Sequence, residues 1–201
     1  METNGGELLF ISGNGRYVIR GQIADLWHGA MINSYDELIA RAGRLDLGRM
    51  GVDGDALGAL VVGAESATPT TVFIDPRCPH CVQLLEQLDD ESLLERHQFA
   101  LVLLPILGRE SQQDALRLSC LAESDPGAAV QALLDGSVAD LPLPNAASTC
   151  GQEPLQRALV AAQMLGISGT PFLVAPDGRT HTGATDLAAW LAATDHAART
   201  Q

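Results

Sequence analysis

Hydrophobic and polar positions change period along the chain, and the changes mark the elements. "ELLFISGNGRYVIRGQIADLW" (residues 7–27) holds two β-rich runs around Gly13-Asn14-Gly15, a turn able to supply positive φ, so it predicts a hairpin. The second run is long, and Gly21 within it predicts a bulge or bend. "NSYDELIARAG" (33–43) predicts a short helix with Asn33 or Ser34 as cap, Glu37 in the first turn and Gly43 past the end. Residues 44–68 mix Gly, Asp and Ala and predict a linker, with one short helix near Gly54–Leu60.

From Thr70 the pattern sharpens. "TTVFI" (70–74) predicts a strand, and "CPHCVQLLEQLDD" (78–90) a helix whose apolar positions are Val82, Leu84, Leu85 and Leu88. "FALVLLPI" (99–106) is apolar throughout, as a strand buried on both faces at the sheet centre would be. Two tandem helices follow (109–123 and 126–136), then a Pro-rich loop (142–153) and a helix (153–166). "ISGTPFLVAPDGRTHTG" predicts two strands around Pro176-Asp177-Gly178, and "TDLAAWLAAT" a closing helix. The order from residue 70 is therefore β-α-β-α-α-α-β-β-α, an α/β sheet flanked by helices.

Composition narrows the function classes. Aromatic residues make up 4% of the chain, so Leu, Val, Ile and Ala must build the core. Net charge is −13, and all 12 basic side chains are Arg. That balance argues against nucleic acid as a partner, because phosphate binding needs clustered positive charge. The absence of Lys excludes Schiff-base and lysine-base chemistry. No apolar run is long enough to span a membrane, and "METNGGELLF" lacks the basic and apolar regions of a signal peptide. Two expectations remain at this point: a cytoplasmic protein, or an exported one whose signal has been removed.

Candidate chemistry centres on "FIDPRCPHC" (73–81). Cys78 follows a strand and sits at the N-cap of a helix, with Pro79 at the first helical position, where its missing N–H costs nothing. Orphan backbone N–H groups and the helix dipole favour a thiolate there, which lowers the pKa below the free value of about 8.5. His80 can add positive charge or a donor. Cys81, one turn on, is expected to face inward and act as the resolving thiol, with Cys78 exposed. Two other readings compete. A zinc site would need a second close pair, whereas Cys120 and Cys150 are 30 residues apart. An inert structural CxxC disulfide is the other. Thr170-Pro171 opens a strand, where a cis-proline would sit, though an ordinary trans turn reads the same way. Asp75, three residues before Cys78, reads as a turn former or helix-start carboxylate more readily than as a proton relay. His28, His97, His181 and His196 are scattered and expected at the surface, and Trp27 and Trp190 are expected to pack.

"VFIDPRCPHC" and "LGISGTPFLVAPDGR" together resemble the thioredoxin fold, and within it the DsbC/DsbG group of periplasmic disulfide isomerases, over roughly residues 8–194. The resemblance implies a thioredoxin-like catalytic domain with a helical insertion over 69–201, a linker over 44–68 and a small hairpin dimerisation segment over 1–43. It implies catalytic Cys78, Pro79, His80 and Cys81, a substrate-binding backbone at Thr170 and Pro171, and a structural disulfide between Cys120 and Cys150. A free buried thiol at Cys120 stays the alternative to that disulfide. A bridge closing about 30 residues is worth roughly 3–4 kcal/mol and belongs in an oxidising compartment, so a periplasmic protein is expected. The implied activity is isomerisation or reduction of misoxidised proteins, without a cofactor or metal. The implied partners are unfolded or misoxidised proteins, a second copy of the chain and a membrane thiol reductase as electron donor. The Pro-His dipeptide resembles the oxidising DsbA group, so a dithiol oxidase is the alternative. A chaperone-like holder of unfolded chains is the alternative from another class.

Overall fold

The computed structural model describes residue 3 and residues 8–26, 29–65, 68–90, 93–145, 147–183 and 186–198. Trp27 and His28 lie outside the described residues, as does the side chain of His196.

The N-terminal segment is two small hairpins rather than one. β1 (Leu9–Ile11) pairs antiparallel with β2 (Val18–Arg20) around the expected Gly-Asn-Gly turn, where Gly15 has φ 68° and Ser12 N–H donates to the Tyr17 carbonyl at 2.9 Å. The backbone bends at Gly21, and the rest of the run becomes β3 (Ile23–Asp25), paired with β4 (Ala30–Ile32). β4 has no separate signal in the sequence reading. α1 (Tyr35–Ala42) starts where expected: the Ser34 hydroxyl accepts from Glu37 N–H at 3.1 Å, and Glu37 returns to Asn33 N–H at 3.0 Å.

The stretch expected to be a linker is largely built into the packed domain. Residues 54–58 form turns rather than a helix, and Leu47 and Leu57 are buried. Gly58, at φ 63°, lies so close to α6 (Gln152–Met164) that an added Cβ would stand 2.6 Å from Pro154 Cβ. Within the same stretch, β5 (Leu60–Gly63) is an edge strand of the main sheet.

That sheet has the order β5-β7-β6-β8-β9, with β6 (Thr70–Ile74) at its centre. β7 (Gln98–Leu103) is interior but one place off centre, parallel to β6 and antiparallel to β5. β8 (Phe172–Val174) runs antiparallel to β6, and a Pro176-Asp177-Gly178 turn leads into β9 (Thr180–Thr182). Side chains alternate along the central strand. Val72 and Ile74 face a core shared with α2 (Pro79–Asp90), α4 (Arg109–Ala122), α5 (Pro126–Leu134) and α7 (Leu187–Ala198). Phe73 faces the other core, with Leu47, Leu57, Val102 and the alanines of α6. In α2, Leu84, Leu85 and Leu88 are buried as expected, but Val82 is exposed. A short α3 (Leu93–Arg96), absent from the expected order, links α2 to β7. This is the mixed α/β thioredoxin-like fold expected, with a helical insertion and a small β-hairpin segment ahead of it. Among the described residues no helix is long and apolar enough to cross a membrane.

Candidate active site

The site forms where the central strand ends. β6 is buried along its whole length and delivers the chain to Asp75, which is fully buried. A tight turn follows: Arg77 N–H donates to Asp75 Oδ1 at 2.8 Å, and Cys78 N–H to the Asp75 carbonyl at 3.0 Å. α2 then begins at Pro79, and the Cys78 carbonyl accepts from Cys81 N–H at 3.0 Å and Val82 N–H at 3.1 Å. Cys78 is thus the N-cap, as its place in the sequence predicts.

Across the sheet, the loop entering β8 closes over the two cysteines. The Thr170–Pro171 peptide is cis, and the Thr170 carbonyl lies 3.3 Å from Cys78 Sγ, accepting from the thiol. This cover corrects the expectation of an exposed Cys78: it is 6% exposed, against 1% for Cys81. Both thiols are free.

The two sulfurs nevertheless differ. Burial pushes Cys78 up, but hydrogen bonds outweigh it: from the Thr170 side chain, Cys81 N–H, the Cys81 thiol and His80 N–H, so its pKa falls below the ordinary thiol value. Cys81 is pushed up to about 12, first by burial and then by the neighbouring Cys78. The Thr170 hydroxyl is buried without a hydrogen-bond partner in the neutral dithiol. It is therefore a donor available to a sulfur that becomes charged. The imidazole of His80 points away: Nδ1 is 3.4 Å from Gln83 Oε1 at the surface, and the backbone N–H of His80 is the group that acts on Cys78.

Sequence reasoning undervalued the residues on the other flank. Asp75 Oδ2 accepts from Ile106 N–H at 2.8 Å, Leu107 N–H at 2.9 Å and Ser111 Oγ at 2.6 Å. Arg77 reaches α4 as well, with Nε 2.6 Å from Asp114 Oδ2 and NH1 3.1 Å from Glu110. Asp114 also pairs with Arg117 at 2.7 Å. A polar residue on an otherwise apolar helix face, as at Ser111 and Asp114, was the available signal.

Cys120 and Cys150 form a disulfide, with Cα atoms 4.9 Å apart. Since the chain has four cysteines, this bridge consumes the pair a Cys₄ zinc site would require. It ties α4 to the start of α6. Beside it Gly151, at φ 71°, donates to Glu123 Oε1 at 2.7 Å and accepts from Ser119 Oγ at 2.9 Å.

A family model for a thioredoxin-like domain matches residues 61–198, more than half the chain. The chain belongs to the thioredoxin-like domain family. Solved structures carry the same fold. A disulfide interchange protein from Neisseria gonorrhoeae superposes with TM-score 0.52 at 26% identity, over 66% of this thioredoxin-like chain and 89% of its own. A linker-deleted ScsC from Proteus mirabilis gives TM-score 0.59 at 19% identity, covering 83% and 87%. A thioredoxin-like oxidoreductase from Silicibacter pomeroyi gives 0.57 at 21%, covering 73% and 95%. No curated protein matches the chain in sequence.

Proposed function

We propose that this thioredoxin-like protein is a periplasmic thiol-disulfide oxidoreductase of the DsbC/DsbG kind, an isomerase or reductase of misoxidised proteins. The observation that carries the thiol-disulfide exchange, in whichever direction it runs, is the asymmetry of the cysteine pair. Cys78, at a helix N-cap, has its pKa lowered, while Cys81 is held up at about 12. One sulfur is thereby poised to attack and the other held in reserve as a thiol. Similarity in sequence and fold to the gonococcal disulfide interchange protein supports it, and the Cys120–Cys150 bridge supports an oxidising compartment.

The Cys78 thiolate attacks one sulfur of a substrate disulfide. A mixed disulfide forms, and the other substrate sulfur leaves as a thiolate. In isomerisation, a further substrate thiolate attacks the substrate sulfur of that bond, and Cys78 leaves with its electron pair, so no net oxidation occurs. In reduction, Cys81 gives up its proton and attacks Cys78, the Cys78–Cys81 disulfide forms, and the substrate departs with two electrons. A membrane thiol reductase is the donor this cycle calls for. Thr170 and Pro171 hold the substrate backbone beside Cys78, and His80 supports the thiolate through its N–H.

A dithiol oxidase is the second reading, favoured by the Pro79-His80 dipeptide and by the lowered pKa of Cys78, which stabilises the reduced site. Refolding of a scrambled, fully oxidised protein in weakly reducing glutathione separates the two. Recovery that disappears in Cys78→Ser supports the isomerase. Fast oxidation of a reduced substrate without unscrambling replaces it with the oxidase. If Cys78→Ser still suppresses aggregation of an unfolded client, holding of chains is independent of the thiol.

A homodimer completes the reading. Phe10 and Ile11 on β1, Val18 and Ile19 on β2, Met31 on β4, and Tyr17 just ahead of β2 are all more than a third exposed. Two-stranded sheets this short are marginal alone, and a second copy is the occupant that would cover them. Light scattering should give twice the chain mass, falling to one on removal of residues 1–43; a monomer in both cases rejects it.

A further inference from the structure

We propose that Asp75 is a positioning residue that locks the apolar pair Ile106–Leu107 beside Cys78, making one substrate face that selects disulfides flanked by apolar side chains. The inference rests on the oxidoreductase reading and adds a specificity to it.

The geometry follows from the strand order. Cys78 stands at the end of β6, between the loop entering β8 on one side and the loop leaving β7 on the other. The first carries Thr170 and Pro171. The second carries Ile106 and Leu107, which are 41% and 55% exposed although they border a buried site. Gly108, the N-cap of α4, offers no side-chain cap where that loop ends. Asp75 takes the place of one. Its Oδ2 receives Ile106 N–H, Leu107 N–H and the Ser111 hydroxyl, while Oδ1 receives Arg77 N–H and the carbonyl receives Cys78 N–H. One buried residue therefore fixes both the turn bearing the nucleophile and the loop bearing the apolar pair.

The partners of the carboxylate are donors from the turn and from the loop, which assigns Asp75 a geometric task. The occupant of the face is an extended polypeptide whose cysteine has Leu- or Phe-like neighbours, since the turn bearing Cys78 and the loop bearing two exposed aliphatic side chains are anchored on the same Asp75. Charge does not recommend the face to a basic chain, because the carboxylates of Asp114 and Glu110 are already paired with Arg77.

The test compares two disulfides in the full chain. One is a Leu-Cys-Leu peptide held as its glutathione mixed disulfide; the other is hydroxyethyl disulfide, which has no side chain to dock. The ratio of their kcat/KM values is the readout. The double variant Ile106→Ser/Leu107→Ser should lower it by about tenfold, through peptide KM with kcat kept, because two half-exposed aliphatic side chains lose their contact area. Asp75→Asn keeps the size of the side chain but turns an amide donor toward existing donors, and should lower the ratio by a similar factor of about ten. Ser111→Ala removes one of the three anchors and should lower it by about threefold, which keeps the test open if Asp75→Asn does not fold. An unchanged ratio in Ile106→Ser/Leu107→Ser overturns the substrate face. Equal loss on both disulfides in Asp75→Asn and Ser111→Ala overturns the positioning role and leaves a merely structural one. Failure of the unaltered chain to reduce hydroxyethyl disulfide is a different result, and rejects the oxidoreductase reading itself.

Discussion

Alkylation of the reduced protein at pH 7 measures the asymmetry of the two thiols directly. Cys81, at about 12, has a thiolate fraction near 10⁻⁵ at that pH, roughly three orders of magnitude below a free thiol at about 8.5. Cys78 lies below the ordinary thiol value, so its fraction exceeds that of the free thiol. Iodoacetamide reacts with thiolates, and the expected preference for Cys78 is therefore about a thousandfold or more. Burial adds to it, since Cys81 is 1% exposed. Mass spectrometry of a timed reaction reads both sites, and Cys78→Ser isolates Cys81. In that variant Cys81 should react more readily, because the neighbouring Cys78 charge that helps hold its pKa up is gone, yet stay slow, because burial remains the larger cause. The pH profile of Cys78 should rise through a midpoint below that of a free thiol and then level off. Modification of Cys81 within tenfold of Cys78 in the unaltered chain would refute the asymmetry, and with it the division into attacking and resolving sulfurs.

Other consequences can be measured alongside. Thr170→Val removes the hydroxyl that lies ready for a charged sulfur, so the alkylation midpoint of Cys78 should move up; an unmoved midpoint means the hydroxyl does not reach it. Reduced protein should lose stability as pH rises past the free-thiol value of about 8.5: Cys81 titrates at about 12 in the fold, so the native state retains a proton the unfolded chain gives up. The loss grows to about 4 kcal/mol by pH 12, while Cys78, with its lowered folded value, adds no further change there; urea titrations of reduced protein that are flat from pH 8 to 11 would contradict this. Replacing both Cys120 and Cys150 by Ala opens a loop of 30 residues and should cost about 3.6 kcal/mol, or roughly 7–15 °C in Tm. A loss under about 1 kcal/mol would mean the bridge hardly restrains the unfolded chain.

Local chemistry was legible in the sequence wherever one turn of chain contains it. Ser34 caps α1, Gly15 turns the first hairpin, and Cys78 ends a strand and opens a helix, because each needs only its immediate neighbours. β5 escaped because four residues closed by Gly63 look like any short apolar run; its identity as a strand comes from pairing with Phe99–Leu101, nearly 40 residues on. Val82 sits at an apolar helical position and still faces out, since period does not say where a helix meets its sheet. Cys78 was expected in the open, and what covers it is Thr170, 92 residues away. Asp75 divides the two kinds of knowledge within one side chain. Its Oδ1 makes the turn to Arg77 that two-residue spacing predicts, while its Oδ2 meets donors 31 to 36 residues further along that no spacing encodes. The turn bearing Cys78 and the loop bearing Ile106 and Leu107 are joined through that single residue, so the specificity proposed for the site rests on the half of Asp75 that only the fold reveals.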